Sequence, residues 1–243
     1  MQGDFINEYV KRNENKKFLT RLGSNWGGHY LDMELIPDKS LVISAGLSYD
    51  ISFDEELIKR KQCYIIGIDP TYLTAQTIFK YYCKNFSRRK NFKLIRKAVH
   101  NKTGLAVYLG GPARTFLSPQ GEKARTISLD DIVSMYAGAS VLKLDIESAE
   151  FPAIESLSTK LRTPQIVIEF HTWLNSESDQ FPNEGVCPLL YTSEDVLNAV
   201  KKIKGMGYKL VYEEREHEER IGQETLFIRK EFASKYKDIE LMD

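Results

Sequence analysis

From "KSLVISAG" onward this chain alternates short apolar runs with longer amphipathic ones, and no other feature narrows its fold so far. "LVIS", "CYIIGID", "FKLIRKAV", "SVLKLDI" and "PQIVIEF" are predicted strands. "FDEELIKRK", "TAQTIFKYYCKNF", "ISLDDIVSMYA", "AEFPAIESLSTKL" and "SEDVLNAVKKIKGM" are predicted helices. Strands separated by helices of this length join through right-handed crossovers, so the series predicts a parallel sheet covered by helices on both faces. The end of the chain departs from that rule. "YKLVYEER" and "ETLFIRK" are joined by the charged turn "EHEERIGQ", which predicts an antiparallel pair closing the sheet. The expected organisation is a helix-and-loop extension over 1–38, serving as an appendage or lid, one domain over 39–232, and a tail over 233–243. No repeat or low-complexity tract interrupts it.

Composition narrows the function. A chain of 243 residues, 42% of them hydrophobic, can bury the core of one such domain. Lys plus Arg and Asp plus Glu both number 34, so no global charge attracts nucleic acid or an anionic membrane. Cys63, Cys83 and Cys187 are odd in number and widely spaced, which argues against a disulfide framework or a zinc site and for a reducing compartment. "MQGDFINEYVKRNENKKF" does not resemble a leader peptide, and no apolar run approaches the roughly 18 residues of a membrane span. The expectation is a soluble cytoplasmic protein.

Sheets of this kind bind ligands beyond the carboxyl ends of their strands, where strand order reverses. The first strand exits through "SAGLSYDISFDEEL", with Gly46 at the tight turn and Ser48 where a dinucleotide fingerprint has its second glycine. Ile51 occupies the third small-residue position, which disfavours a pyrophosphate there. The second strand ends in "GIDPT", placing Asp69 23 residues past Gly46, close to the ~20 at which an acidic residue meets ribose hydroxyls. Taken singly, Gly46 reads equally as a turn glycine and Asp69 as a helix cap before Pro70. Together they favour a nucleoside site.

The ordered segments "LVISAGLSYDISFDEEL", "IIGIDPT", "AVHNKTGLAVY", "TISLDDIV", "VLKLDIESAEFPAIESL" and "PQIVIEFH" resemble the FkbM-type S-adenosylmethionine-dependent methyltransferases over roughly residues 27–230. The Lys-x-Asp-x-Glu-x-Ala-Glu block at 143–150 is the most specific of them. Two positions depart from the family pattern, Ser48 and Ser148, each standing where glycine is usual. The resemblance implies a class I methyltransferase fold, Rossmann-like, with a mostly parallel seven-stranded sheet and an antiparallel C-terminal hairpin. It implies S-adenosylmethionine as cofactor, held by Ser44, Gly46, Ser48, Asp50, Asp69, Pro70, Val99 and Asp145. It further implies methylation of a hydroxyl on a sugar, glycolipid or secondary metabolite, hence a small-molecule or glycan acceptor.

Side chains two apart on a strand share a face, so Lys143 sides with Asp145, and Glu169 with His171. If the two strands are neighbours, as the resemblance implies, the expectation is an inner Lys143–Glu169 pair and an outer Asp145–His171 pair facing the methyl group. His171 is the candidate general base, with Asp145 orienting it or acting as base itself. The plainer reading of His171 is a strand-end residue bonded to backbone. Glu147 is expected to face the pocket and Glu150 to complement the helix dipole. His29, His100 and His217 show no comparable constellation. A cation site of Asp145, Glu147, Glu150 and His171 is set aside for want of a dense Asp-x-Asp arrangement, so no metal is expected. In the long segment "HTWLNSESDQFPNEGVCPLLYTSED", Trp173, Phe181 and Tyr191 either stack on a sugar or anchor the loop. Two other classes stay in view. A nicotinamide-dependent oxidoreductase would share the fold pattern, but the third glycine and any Tyr-x-x-x-Lys pair are missing. A non-catalytic binding protein is kept open by Ser48 and Ser148.

Overall fold

The computed structural model describes residues 14–85, 87, 89–110, 116–118, 122–158, 161–172, 191–215 and 222–241. A hairpin of β1 (Thr20–Leu22) and β2 (His29–Leu31) precedes the alternating series. The series runs β3 (Leu41–Ala45), α1 (Ser52–Lys61), β4 (Tyr64–Ile68), α2 (Tyr72–Lys84) and β5 (Phe92–Ile95). β6 (Ala98–His100), β7 (Ala106–Gly110), β8 (Phe116–Ser118) and β9 (Glu122–Ser128) follow, then α3 (Leu129–Met135), β10 (Val141–Leu144), α4 (Glu150–Glu155) and β11 (Gln165–His171). α5 (Ser193–Gly205), β12 (Tyr208–Arg215) and β13 (Gly222–Arg229) complete it.

Seven strands form one sheet in the order β12-β13-β11-β10-β3-β4-β5. The five from β5 to β11 pair in parallel, while β13 runs antiparallel to both β11 and β12, as the charged turn predicts. Strand order reverses between β3 and β10. Alternation along the strands divides their apolar residues between two cores. Ile43, Leu142 and Ile168 pack with Ile154 of α4 and Ile203 of α5, while Val42, Ile65 and Val167 pack with Leu57 of α1 and Ile78 of α2. Each fully buried Leu or Ile contributes about 1.5–3 kcal/mol by leaving water. α2 and α5 start where side chains satisfy free amides: the Thr71 hydroxyl accepts from Thr74 N–H, and Thr192 forms a capping box with Asp195.

Three expectations change. "FKLIRKAV" is not one strand: Lys97 N–H donates to the Ile95 carbonyl at 3.0 Å, and β5 and β6 lie in different sheets. "ISLDDIV" divides too, because Ile127 and Ser128 pair in β9 and the Ser128 hydroxyl caps α3. β6, β9, β7 and β8 form a small four-stranded sheet that the sequence reading did not contain. The described part of the N-terminal segment packs on the domain. Leu22, Leu31 and Ile36 are buried in the same core as Leu57. Asn15 donates to the Val211 and Lys237 carbonyls at 2.8 and 2.7 Å, and Asp32 exchanges two hydrogen bonds with Gln165 of β11. The tail is similarly seated, with Ile239 N–H donating to the Leu210 carbonyl at 2.8 Å. Among the described residues no helix is long and apolar enough to cross a membrane.

Candidate active site

The reversal of strand order places the exits of β3 and β10 side by side. β3 runs into Gly46 at φ +81°, where an added Cβ would fall 1.5 Å from the Asp145 carbonyl oxygen. Glycine alone lets the two strand ends approach so closely. Ser48 follows at φ 47°, a left-handed conformation that costs a residue with a Cβ about 1–2 kcal/mol. Asp69, 5% exposed at the end of β4, stabilises this turn. Its Oδ2 accepts from the Leu47 and Ser48 N–H groups at 2.9 and 3.0 Å, and its Oδ1 from the Thr71 N–H and hydroxyl at 2.8 and 2.7 Å. The Thr74 hydroxyl donates to the Ser48 carbonyl at 2.9 Å, fastening the turn to α2. Asp50 accepts from the Ser24 hydroxyl and from Ser52 N–H, tying the β1–β2 turn to the loop after β3. Burial would raise its carboxyl, but the Ser24 and Ser52 bonds prevail and hold it below the usual carboxylate range.

From β10, the buried Lys143 ammonium donates to the Gly46 carbonyl at 2.6 Å and pairs with Asp145 Oδ2 at 3.0 Å. Burial would lower its pKa, but Asp145 and Asp54 reverse the shift and raise it. Burial would raise Asp145, and Lys143, His171 and His29 together bring it below its ordinary value. This bond pattern corrects the expected Lys143–Glu169 pair. Lys143 stands opposite Val167 in the register, so Asp145 is the residue level with Glu169, and the long lysine side chain reaches along its own strand to the edge.

His171 closes β11 with both ring nitrogens facing acids. Nδ1 lies 3.1 Å from Glu150 Oε1, while Nε2 lies 3.4 Å from Glu169 Oε1, 3.8 Å from Glu147 Oε2 and 4.0 Å from Asp145 Oδ1. Burial would lower its pKa, yet Glu147, Glu150 and Glu169 outweigh burial and hold the imidazole well above the usual histidine range. Glu150 is fully buried and folds back so that its Oε1 also accepts from Ile146 N–H at 2.6 Å. Between them Glu147 and Ser148 adopt φ 53° and 73°, and the Ser148 hydroxyl donates to the His171 carbonyl at 3.0 Å. Both positions where the family pattern has glycine thus prove left-handed, and serine occupies them here.

Gly46, Ser48, Asp50 and Asp69 gather in one turn system; Asp145, Glu147, Glu150 and His171 gather in another; Lys143 joins the two. Ser44 is buried in β3 opposite Lys143. The Pro70 carbonyl accepts from Arg96, and the Val99 side chain packs in the hydrophobic core, leaving its backbone for any ligand contact. Tyr191 stacks on Phe151 with ring centroids 4.1 Å apart, whereas Trp173 and Phe181 lie outside the described residues. Two residues were missed. His29, from β2, is buried with Nδ1 3.1 Å from Glu224 Oε1 and Nε2 3.8 Å from Asp145 Oδ2. Glu224 stands opposite Glu169 on β13. Its one local signal was a carboxylate two residues before the apolar run "LFI".

A seven-stranded sheet of this order, mostly parallel with an antiparallel C-terminal pair and an acidic cluster at its switch point, is the class I methyltransferase architecture. The model of the methyltransferase FkbM domain matches residues 13–210, and the chain belongs to that family. A search of curated protein sequences returns no significant match. Among solved structures, the chain is similar to methyltransferase FkbM from Methylobacillus flagellatus at 14% identity and a TM-score of 0.51, covering 79% of this chain and 43% of that one. This chain therefore spans under half of that protein's length. It is also similar to magnesium protoporphyrin IX methyltransferase of Synechocystis with bound SAM (9% identity, TM-score 0.46, 80% of this chain and 71% of that chain). TrmK of M. capricolum with S-adenosyl-homocysteine matches at 12% identity and a TM-score of 0.46, over 87% and 72% of the respective chains. S-adenosylmethionine is the cofactor that the FkbM methyltransferase resemblance implies. The residues present fit it: glycine at 46 lets the exits of β3 and β10 close together at the crevice, and an acidic residue closes β4 beside it.

Proposed function

We propose that this chain methylates a hydroxyl group of a small-molecule or glycan acceptor at the carboxyl edge of β10 and β11. The observation supporting this most directly is the placement of Asp145. Lys143 couples it to the Gly46 carbonyl of the cofactor turn, while its other oxygen faces His171. S-adenosylmethionine supplies a methyl group already activated on a positive sulfur. The Gly46–Ser48 turn, braced by Asp69 through the Leu47 and Ser48 amides, with Ser44, Asp50 and Pro70 around it, the Val99 backbone and Asp145 are the residues proposed to hold it. The remaining work is to align an acceptor oxygen and remove its proton. Glu147, whose side chain is 26% exposed at the rim of the cluster, is the proposed base. His171 fits that role poorly, because both its nitrogens face carboxylates and neither offers a lone pair. Its proposed part is to position Glu147 and offset the surrounding negative charge. The balanced net charge favours a small or glycan acceptor over nucleic acid. The thiols of Cys63 and Cys83, free of any disulfide, favour a reducing cytoplasm.

Calorimetry of the full chain is expected to detect S-adenosylmethionine and S-adenosylhomocysteine and not NADH; the reverse would transfer the reading to the oxidoreductase class. With an acceptor found by screening hydroxylated compounds with labelled cofactor, Glu147→Gln is expected to lower turnover ~10²- to 10⁴-fold at nearly unchanged cofactor affinity. Full turnover in Glu147→Gln would remove that residue from the reaction.

A further inference from the structure

His29 is the one histidine in this cluster with a ring nitrogen left over. Its side chain is 1% exposed, and Glu224 Oε1 lies 3.1 Å from Nδ1. When Nδ1 donates its proton to that carboxylate and Nε2 carries none, the ring presents the Nε2 lone pair to the opposite side. Nε2 has no hydrogen-bond partner among the described residues. The nearest acid, Asp145 Oδ2, stands 3.8 Å away, beyond hydrogen-bond reach.

The geometry points to a divalent metal site formed by His29 Nε2, Asp145 and Glu169. One ligand atom from each lies within 4.8 Å of the other two. Two metal–ligand bonds of about 2.1 Å span up to about 4.2 Å, so small side-chain rotations close the triad on an ion. The ligands come from β2, the β10 exit and β11, and Glu224 on β13 supplies the outer carboxylate that orients the histidine. Lys143 already touches Asp145 Oδ2, and a carboxylate oxygen has lone pairs for both an ammonium and a metal. His171 Nε2 faces Glu169 Oε1 at 3.4 Å and would share that acid in the same way. An imidazole with two carboxylates suits Mn2+, Fe2+ or Zn2+ better than the all-oxygen preference of Mg2+ or Ca2+. The role of the ion rests on the methyl-transfer reading: beside the proposed base, it would bind the acceptor hydroxyl and lower its pKa. The existence of the site does not rest on it.

The test is a titration of the chelator-treated full chain with MnCl2, without cofactor or acceptor, followed by electron paramagnetic resonance. One Mn2+ is expected to bind, with nitrogen modulation from a single directly coordinated imidazole in the electron spin-echo envelope. Glu224→Gln, which keeps the size of the side chain, is expected to weaken binding ~10- to 100-fold, and His29→Ala to abolish the nitrogen signal. Should His29→Ala fail to fold, the nitrogen signal of the unaltered protein and the Glu224→Gln affinity decide. No Mn2+ bound at millimolar concentration, binding without nitrogen modulation, or equal affinity in Glu224→Gln overturns the site. S-adenosylmethionine binding, measured separately, would survive that outcome.

Discussion

Asp69→Ala separates two roles of one carboxylate. As a ribose contact alone, Asp69 would matter only when the cofactor is bound. In the structure it accepts four hydrogen bonds from Leu47, Ser48 and Thr71. Removing it strands donors in a turn that has little access to water. The Thr71 groups lie at a helix start where solvent replaces the loss most easily, so the penalty is carried by the Leu47 and Ser48 amides. At about 1–3 kcal/mol for each buried donor left unpaired, the two amount to roughly 2–6 kcal/mol. In a chain of this size that lowers the melting temperature by roughly 5–20 °C. Asp69→Asn retains one acceptor oxygen and turns an amide donor toward another donor, so a loss of about half that size is expected. The assay is urea unfolding of the cofactor-free protein, with amide exchange at Leu47 and Ser48 as the local readout. A cofactor-free Asp69→Ala protein with the wild-type midpoint and slope would refute the reasoning and leave Asp69 a ligand contact only.

Ser48→Gly is expected to stabilise the cofactor-free protein by about 1 kcal/mol, because its left-handed backbone carries a Cβ whose hydroxyl makes no hydrogen bond in the structure; an unchanged unfolding midpoint would count against strain there. Ser148→Gly is expected to be nearly neutral, since relief at φ 73° is offset by loss of the bond to the His171 carbonyl, and a gain as large as that of Ser48→Gly would show that this bond contributes nothing. Gly46→Ala is expected to abolish cofactor binding and to cost more than 4 kcal/mol, roughly the largest effects single substitutions produce, because its Cβ would overlap the Asp145 carbonyl; wild-type calorimetry would show that the β10 exit can move aside. Burial pushes Asp54 up from 3.8 to about 6, with Lys143 opposing the shift, so between these values the folded protein holds a proton that the unfolded chain has lost. Stability is therefore expected to fall by up to about 3 kcal/mol as pH rises through that window, and Asp54→Asn should flatten this part of the profile; an unchanged slope would assign it to another group.

The parts of this molecule that were legible in sequence are those decided locally. Short continuous apolar runs announce β3, β4 and β11, and Gly46 and the spacing to Asp69 announce the tight turn that Asp69 braces at the exit of β3. What stayed hidden depends on contacts between distant segments. β1 and β2 are three residues each, "TRL" and "HYL", too short and too polar to show a period, and only their packing on the large sheet makes strands of them. The break between β5 and β6 falls at Arg96 and Lys97, with no glycine or proline to mark it. The partner of Lys143 was misread for a similar reason. Two-residue periodicity says which side chains share a face, but the reach of a lysine along its own strand decides which acid it meets.

The same nonlocality explains why the site includes the N-terminal hairpin. Asp145, Glu147, Glu150, Glu169 and Glu224 converge on the edge of β10, β11 and β13, where Lys143, His171 and His29 are the basic groups facing them among the described residues. Among those residues the acids outnumber the basic groups, and an excess of negative charge persists only where further positive charge is supplied or function requires it. The hairpin supplies His29 from the open side of the cluster, with its ring oriented by Glu224 and its remaining nitrogen directed at Asp145. Residues 20–31 thus wall one side of the acidic cluster, held against the loop after β3 by Ser24 and Asp50. The strands of the large sheet bring acids to one edge because their carboxyl ends face the switch point. The hairpin then determines what cation those acids can hold, and thereby ties the N-terminal segment to the chemistry of Asp145.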